Sequence, residues 1–433
     1  LAVGIDQLDP LVDGDGSVQA RVVRDGPQSF RAEDVALSTD GIDLTATAAF
    51  DEGTGSAEFD LSLPDLSPVA EGLSGAATAR GTVSRDAGGN VSADIVATGP
   101  GGAEIDLDGT LAGVDANYAA TADLTARVDN LDVYSALAGQ ELNGSLVADV
   151  TASAGSPLNY RVSPFSLRFD LSGTDLAGMG RSLAGDVTAA GTIVRDETLD
   201  TVVDVDVTAP GDARIVVDAT VQSPQEDYAV EGRATIDAAD LSALSGVVGQ
   251  PLGGAVSADL AGRLAMPLDA ANSPLDLTFE AAATDFTGFG RALDGAFSAR
   301  GTVARDDTLA TVADLTATGP GNTDLSIDAT VAPPAQDYAA EGRIALTSGD
   351  LSVWSGLAGQ RLAGSLDFGA QGSVAAPLAP METVFDLDFD LTARGLAGMG
   401  RSLDGTVAAA GTASRDAKGT LSVDADATGP GDA

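Results

Sequence analysis

The chain has 433 residues, too many for one compact hydrophobic core, so its length predicts several domains or a repeat array. It has no Cys and no His, which excludes the usual zinc sites, a Cys nucleophile and a Ser/His/Asp triad. The net charge of −43 repels phosphate backbones, so we expect no nucleic acid partner. Because the residue types most used in catalysis are missing, we also expect no enzyme activity, catalytic residue, cofactor or metal site.

A period of 110 residues runs along the chain. The run Gly-Thr-x-x-Arg-Asp recurs with its arginine at positions 85, 195, 305 and 415, and glycine recurs at 75, 185, 295 and 405. We divide the chain into a degenerate repeat (1–74), three full repeats (75–184, 185–294 and 295–404) and the start of a fourth (405–433). A period of this length indicates a unit of several strands whose packing is completed by its neighbours. We expect the chain to be a fragment of a longer protein.

Alternation of apolar and polar residues dominates each repeat and predicts β-strands with one buried and one wet face. Between residues 185 and 295 six such segments follow one another, separated by short turns, which predicts an antiparallel meander. Six strands span roughly 29 Å of sheet per repeat. Because sheets twist and long open sheets curl, we expect a trough lined by Ala, Val, Leu and Ile, with Asp, Thr and Arg on the outer wall.

One segment of each repeat breaks the alternation. Leu241, Leu244 and Val247 are spaced three apart behind Asp240, and the same spacing recurs near 131–138 and 351–358. This pattern predicts a two-turn helix with an N-terminal cap, ended by a glycine such as Gly249. We expect its apolar edge to lie over the mouth of the sheet.

Three motifs have simpler interpretations than a ligand site. The glycines at 178, 180 and 185 do not have dinucleotide-loop spacing, and turns explain them better. Acidic clusters such as Asp204/Asp206 or 386/388/390 are spaced about 6.6–6.8 Å along a strand face, too far apart for one calcium ion without a loop, so we interpret them as a solvated face. The repeated Arg-Asp pair is interpreted as a turn and ion-pair device, with lipid headgroup binding as the alternative.

The strings Asp240-Leu241-Ser242 to Gly249-Gln250-Pro251-Leu252-Gly253-Gly254 and Leu396 to Gly405 resemble the central repeats of TamB-type translocation and assembly proteins of the AsmA-like group. The resemblance covers about residues 75–433. It implies a β-taco, a long repeating β-groove that bridges the periplasm and takes part in outer-membrane biogenesis. It also implies an inner-membrane anchor in a missing N-terminal segment, an outer-membrane barrel partner for a missing C-terminal region, and phospholipid as cargo.

The sequence therefore predicts an all-β, long curled antiparallel sheet that acts as a lipid-transfer and outer-membrane assembly factor and shields acyl chains in an apolar groove. The alternative is an extracellular adhesin or surface protein of tandem Ig-like β-sandwiches, whose domain size is close to the period. A hydrolase with paired catalytic carboxylates is a third functional class. The repetition argues against it, because an enzyme needs one active site rather than one copy in every repeat. The candidate groove residues are Ile105, Leu107, Val187, Ile193, Val205, Ile215, Val217, Val221, Val230, Ile236, Val256, Leu260, Leu275, Leu277, Phe279, Leu325, Ile327, Phe385, Leu387 and Phe389.

Overall fold

A computed structural model describes residues 15–68, 72–113, 119–156, 159, 161–223, 229–265, 273–333, 339–375, 383–398 and 401–429. The first fourteen residues of the degenerate repeat and residues 399–400 of the second resemblance string lie outside the described residues. The chain divides into two units, Leu1–Pro210 and Gly211–Ala433. Each unit is an antiparallel meander of twelve strands, and the all-β fold expected from the alternation is confirmed.

In the first unit each strand pairs with the next along the chain. A short 3₁₀ turn, Pro100–Gly102, separates the sixth and seventh strands. The strands are β1 Ser17–Arg24, β2 Ser29–Ser38, β3 Asp43–Asp51, β4 Thr54–Leu63, β5 Ala77–Arg85, β6 Val91–Gly99, β7 Ala103–Ala112, β8 Ala119–Val128, β9 Asn143–Ala154, β10 Phe165–Gly178, β11 Arg181–Arg195 and β12 Thr201–Ala209.

The second unit repeats this arrangement, again with antiparallel pairing between consecutive strands. Its strands are β13 Ala213–Val221, β14 Val230–Ala238, β15 Gly253–Leu264, β16 Leu275–Gly288, β17 Arg291–Arg305, β18 Thr311–Gly319, β19 Thr323–Val331, β20 Ala340–Ser348, β21 Ala363–Ala375, β22 Val384–Gly398, β23 Arg401–Arg415 and β24 Leu421–Thr428. The repeat limits at Gly295 and Gly405 fall inside β17 and β23, so pairing continues across them within this unit.

The helix expected in each repeat is present in all three copies. A 3₁₀ turn leads into one turn of α-helix at Leu131–Tyr134 and Ser135–Ala138 (α1), Leu241–Leu244 and Ser245–Val248 (α2), and Leu351–Trp354 and Ser355–Ala358 (α3). The side chains of Asn130, Asp240 and Asp350 each accept a hydrogen bond from the backbone two residues on. Each helix ends at a left-handed glycine, which carries no Cβ penalty there.

A two-residue hairpin turn and a β-bulge recur at one end of the strands. The pairs Met179-Gly180 and Phe289-Gly290 form two-residue turns with both φ angles positive, as type I′ hairpin turns require. A few residues earlier, Asp175 and Asp285 occupy left-handed bulges, and their carboxylates accept hydrogen bonds from the backbone N–H of Gly185 and Gly295 at 2.8 Å. These hydrogen bonds explain the glycines at 185 and 295 as bulge partners with positive φ.

Candidate functional site: the apolar sheet face

All twenty candidate groove residues lie on one side of the sheet of their own unit. Paired residues on neighbouring strands point to the same side, so the register defines rows that run across the strands. In the second unit, we call the row through Val217, Leu260, Phe279, Ile327 and Phe389 the central row. Its remaining members are Ala234, Gly301, Leu315, Ile344, Ala370, Gly411 and Ala425.

The first unit has the equivalent row through Leu107. It joins Phe59, Ile95, Leu124 and Phe169 to Val205 across nine consecutive strands. The rows on either side are built in the same way from Ala, Val, Leu, Ile, Phe and Gly. In each unit we call this side of the sheet the apolar face.

The apolar face is not covered by a second layer of structure in the way a sandwich core is. Ile105, Ile215 and Leu260 expose 44%, 41% and 46% of their surface, and most of the other candidates are half-buried. The residues at the centre of a filled two-sheet core would be almost fully buried. Most of the large apolar side chains described on this face therefore remain in contact with solvent.

Phenylalanines partly fill the glycine gaps of the central rows. A methyl group placed on Gly191 or Gly301 would stand 3.0 or 3.1 Å from the ring of Phe169 or Phe279 on the preceding strand, and still closer to the facing backbone carbonyl. A side chain larger than hydrogen does not fit at these positions, so each glycine lets the neighbouring ring lie close to the backbone. The result is a shallow surface.

One margin of the apolar face is packed by the short helices, and we call it the helix margin. In the second unit, Trp354 donates a hydrogen bond from its indole N–H to Thr323 Oγ1 (2.9 Å) and meets the ring of Phe297 edge-on at 6.3 Å. Arg291 Nη1 donates to the carbonyl of Leu357, near the end of α3. In the first unit, the hydroxyl of Tyr134 donates to the carbonyl of Pro100 (2.8 Å). The helices thus pack at one end of the strands, and the expected position over the mouth of a groove stays a prediction.

The opposite margin ends in the repeated arginines Arg85, Arg195, Arg305 and Arg415, which we call the arginine margin. Each shares a register row with apolar neighbours, such as Phe165 beside Arg195 and Leu275 beside Arg305. The sequence interpretation made these arginines part of a turn and ion-pair device, with lipid headgroup binding as the alternative, and did not assign them to a face. Their strand parity relative to the apolar positions is the signal that would have done so.

The other face of each sheet is polar. Asp108, Asp218 and Asp328 lie on it, each directly beside a candidate groove residue in sequence. Arg233 and Asp259 form an ion pair across β14 and β15. Asp328 lies beside Asp314 on the neighbouring strand, and a hydrogen bond between the two carboxyl groups raises the pKa of Asp314.

Two recesses lie on this polar face. One of about 780 Å³ in the second unit is lined by Asp314, Asp328, Arg343 and Gln371, and one of about 680 Å³ in the first by Glu58, Asp60 and Arg80. Both are lined mainly by polar side chains, and the trough that the sequence analysis expected on the apolar side stays a prediction.

The acidic clusters named in the sequence lie on the polar face, as the solvated-face interpretation requires. Asp204 and Asp386 are exposed. Within the described residues, no group of three or more acidic side chains is arranged to hold a metal ion. Among the described helices, none is long and apolar enough to span a membrane.

Comparison with models of known families, with curated proteins and with solved structures finds no match to this chain. The resemblance to the TamB-type proteins thus remains a prediction, and the functional argument rests on the two faces and the two margins of the sheet.

Proposed function

We propose that this chain shields the acyl chains of lipid on its apolar face, as a bridge-like lipid-transfer factor of a double-membrane envelope. The observation that carries the proposal is the pair of uninterrupted apolar rows through Leu107 and through Val217, both half open to solvent. The first row crosses nine consecutive strands of its unit, and the second crosses all twelve strands of the other unit. An extended face of this kind on a soluble surface is typical of an interaction site, and its shallow Ala, Val and Gly lining leaves room for a chain.

The energetics favour an apolar, flexible ligand. Each methylene removed from water contributes about 0.8 kcal/mol, so ten in contact with the face outweigh the cost of ordering one lipid. Because the same residue types recur every 110 residues, successive positions offer similar binding energy. A lipid can therefore move along a unit without meeting a position that binds it much more tightly than the others. The periplasm, an inner-membrane anchor and an outer-membrane barrel partner are the setting that the family resemblance adds to this proposal.

The test is a transfer assay in which the chain moves fluorescent phospholipid from donor to acceptor vesicles. We expect Val217→Asp to abolish most of the transfer, because a carboxylate on the central row makes that stretch unfavourable for acyl chains. The matched control is Val216→Asp, the same substitution on the adjacent residue, which pairs with Thr235 on the polar face. Equal transfer by both variants, or no transfer by the unmodified chain, would contradict the proposal.

A further inference from the structure

Within the described register rows at the middle of the apolar face and at its arginine margin, the charged residues lie on a single line. In the four register rows that run through residues 215, 217, 219 and 221 and their equivalents in the first unit, no described residue is acidic. The charged residues of these rows are all arginines, and all lie in the last row. They are Arg24, Arg85, Arg195, Arg305 and Arg415.

The guanidinium group of Arg195 lies over apolar surface. Its central carbon is 4.9 Å from the centre of the Phe165 ring, and its Nε donates to Thr201 Oγ1 at 3.0 Å. Arg305 repeats the second contact, donating from Nε to Thr311 Oγ1 at 2.9 Å. Arginine is the side chain that most often recognises phosphate in proteins, because its planar guanidinium presents paired N–H groups.

The arginine recurs in every repeat, whereas the threonine beside it does not. Thr201 and Thr311 accept the Nε–H in two repeats, but Val91 and Leu421 replace them in the other two, where Arg85 and Arg415 are retained. Arg24, at the start of the chain, is different. It donates to the carbonyls of Gly26 and Pro27 and so serves its own turn, and we leave it out of the assignment.

The aspartate that follows each arginine is engaged by its own turn. Asp196 Oδ1 accepts hydrogen bonds from the backbone N–H groups of Thr198 and Asp200, and Asp306 and Asp416 are held in the same way. Hydrogen bonds from Thr198 and the turn backbone lower the pKa of Asp196. The turn half of the sequence interpretation is thus confirmed for the aspartate. These contacts give the carboxylate a structural role in its own turn.

We propose that Arg85, Arg195, Arg305 and Arg415 bind the phosphate of a lipid headgroup while its acyl chains lie on the apolar face. The assignment rests on the proposed lipid-shielding function and adds a preference for phosphate-bearing lipid. In a chain of net charge −43, a cation at the rim of an uncharged face is the complementary partner for an anionic headgroup. Within the first unit Arg85 and Arg195 are six strands apart, roughly 29 Å, so each arginine holds a separate headgroup.

The test compares binding of fluorescent phosphatidylglycerol with binding of diacylglycerol that has the same acyl chains and label. We expect the unmodified chain to bind phosphatidylglycerol roughly tenfold more tightly, the gain of one charge-assisted contact. Changing all four arginines to Gln should remove this preference and leave diacylglycerol binding unchanged. The matched control changes four exposed polar-face arginines, Arg80, Arg168, Arg300 and Arg343, to Gln and should keep the preference.

A quadruple Arg→Lys variant separates charge from turn geometry. Lysine keeps the cation but not the planar guanidinium, so most of the preference should survive. A purely structural role predicts instead a loss of thermal stability with no change in preference. If the Gln variant does not fold, the preference of the unmodified chain for phosphatidylglycerol is measured at increasing salt concentration instead. An ionic preference must decrease as the salt approaches molar concentration, because salt screens the charges.

The outcomes separate the two proposals. If both lipids bind and the Gln variant keeps its preference, the arginine assignment is wrong and the lipid-shielding proposal stands. If neither lipid binds to the unmodified chain, both fail. If soluble glycerol phosphate binds as tightly as the whole lipid, the arginines form a free-phosphate site, and the headgroup assignment is overturned.

Discussion

At the helix margin, Leu293 on β17 is almost fully buried, whereas Leu260 and Ile236, in the open part of the apolar face, are more than two-fifths exposed. Both regions consist of apolar residues on strands of the same unit. They differ in what packs near them, because Gly356 of α3 lies against Ala292, next to Leu293, whereas the surfaces of Leu260 and Ile236 stay open. Alternation therefore produces an apolar face, but only a second element turns part of that face into a core.

The largest expected effect separates these regions by stability. Leu293→Ala should lower the free energy of unfolding by about 2–5 kcal/mol, because it empties a packed site. Leu260→Ala is the matched control and should cost well under half as much, since the side chain is already partly in water. Urea unfolding followed by the fluorescence of Trp354, the single tryptophan, reports on this unit. Equal losses would mean that the middle of the face is packed as tightly as the helix margin.

A smaller effect is expected at the cap of α3. Asp350 accepts a hydrogen bond from the backbone N–H of Ser352 at 2.9 Å, and hydrogen bonds from Ser352 lower the pKa of Asp350. Asp350→Ala should loosen α3 and lower the melting temperature by a few degrees. Asp350→Asn should preserve the cap, because Asn130 performs the same role in α1.

The same cap sets a pH dependence. A carboxyl group whose pKa is lower in the folded state stabilises the fold above its ordinary pKa of 3.8, and this contribution is lost as the pH falls through the lowered folded value. The melting temperatures of the unmodified chain and of Asp350→Ala should therefore converge in acid. A constant difference down to pH 2 would show that the charge of Asp350 contributes nothing.

Much of this architecture could be predicted from the residues. The period, the six strands per repeat, the three helices with their caps, and the common face of Val217 and Leu260 all follow from spacing, since each depends on local backbone periodicity. The recess beside Asp314 could not be predicted, because side chains of five neighbouring strands line it and alternation does not give the register between them. The position of Arg195 over Phe165 depends on the register between β10 and β11, which the sequence does not specify.

The most direct test of the central claim places a photo-crosslinker on either face at equivalent positions of three repeats and exposes the chain to phospholipid. The apolar-face set is Leu107, Val217 and Ile327, and the polar-face set is the next residue in each case, Asp108, Asp218 and Asp328. We predict that lipid is captured at all three apolar-face positions and at none of the polar-face positions. Capture on both faces alike, or capture only beside the polar recesses, would contradict the account.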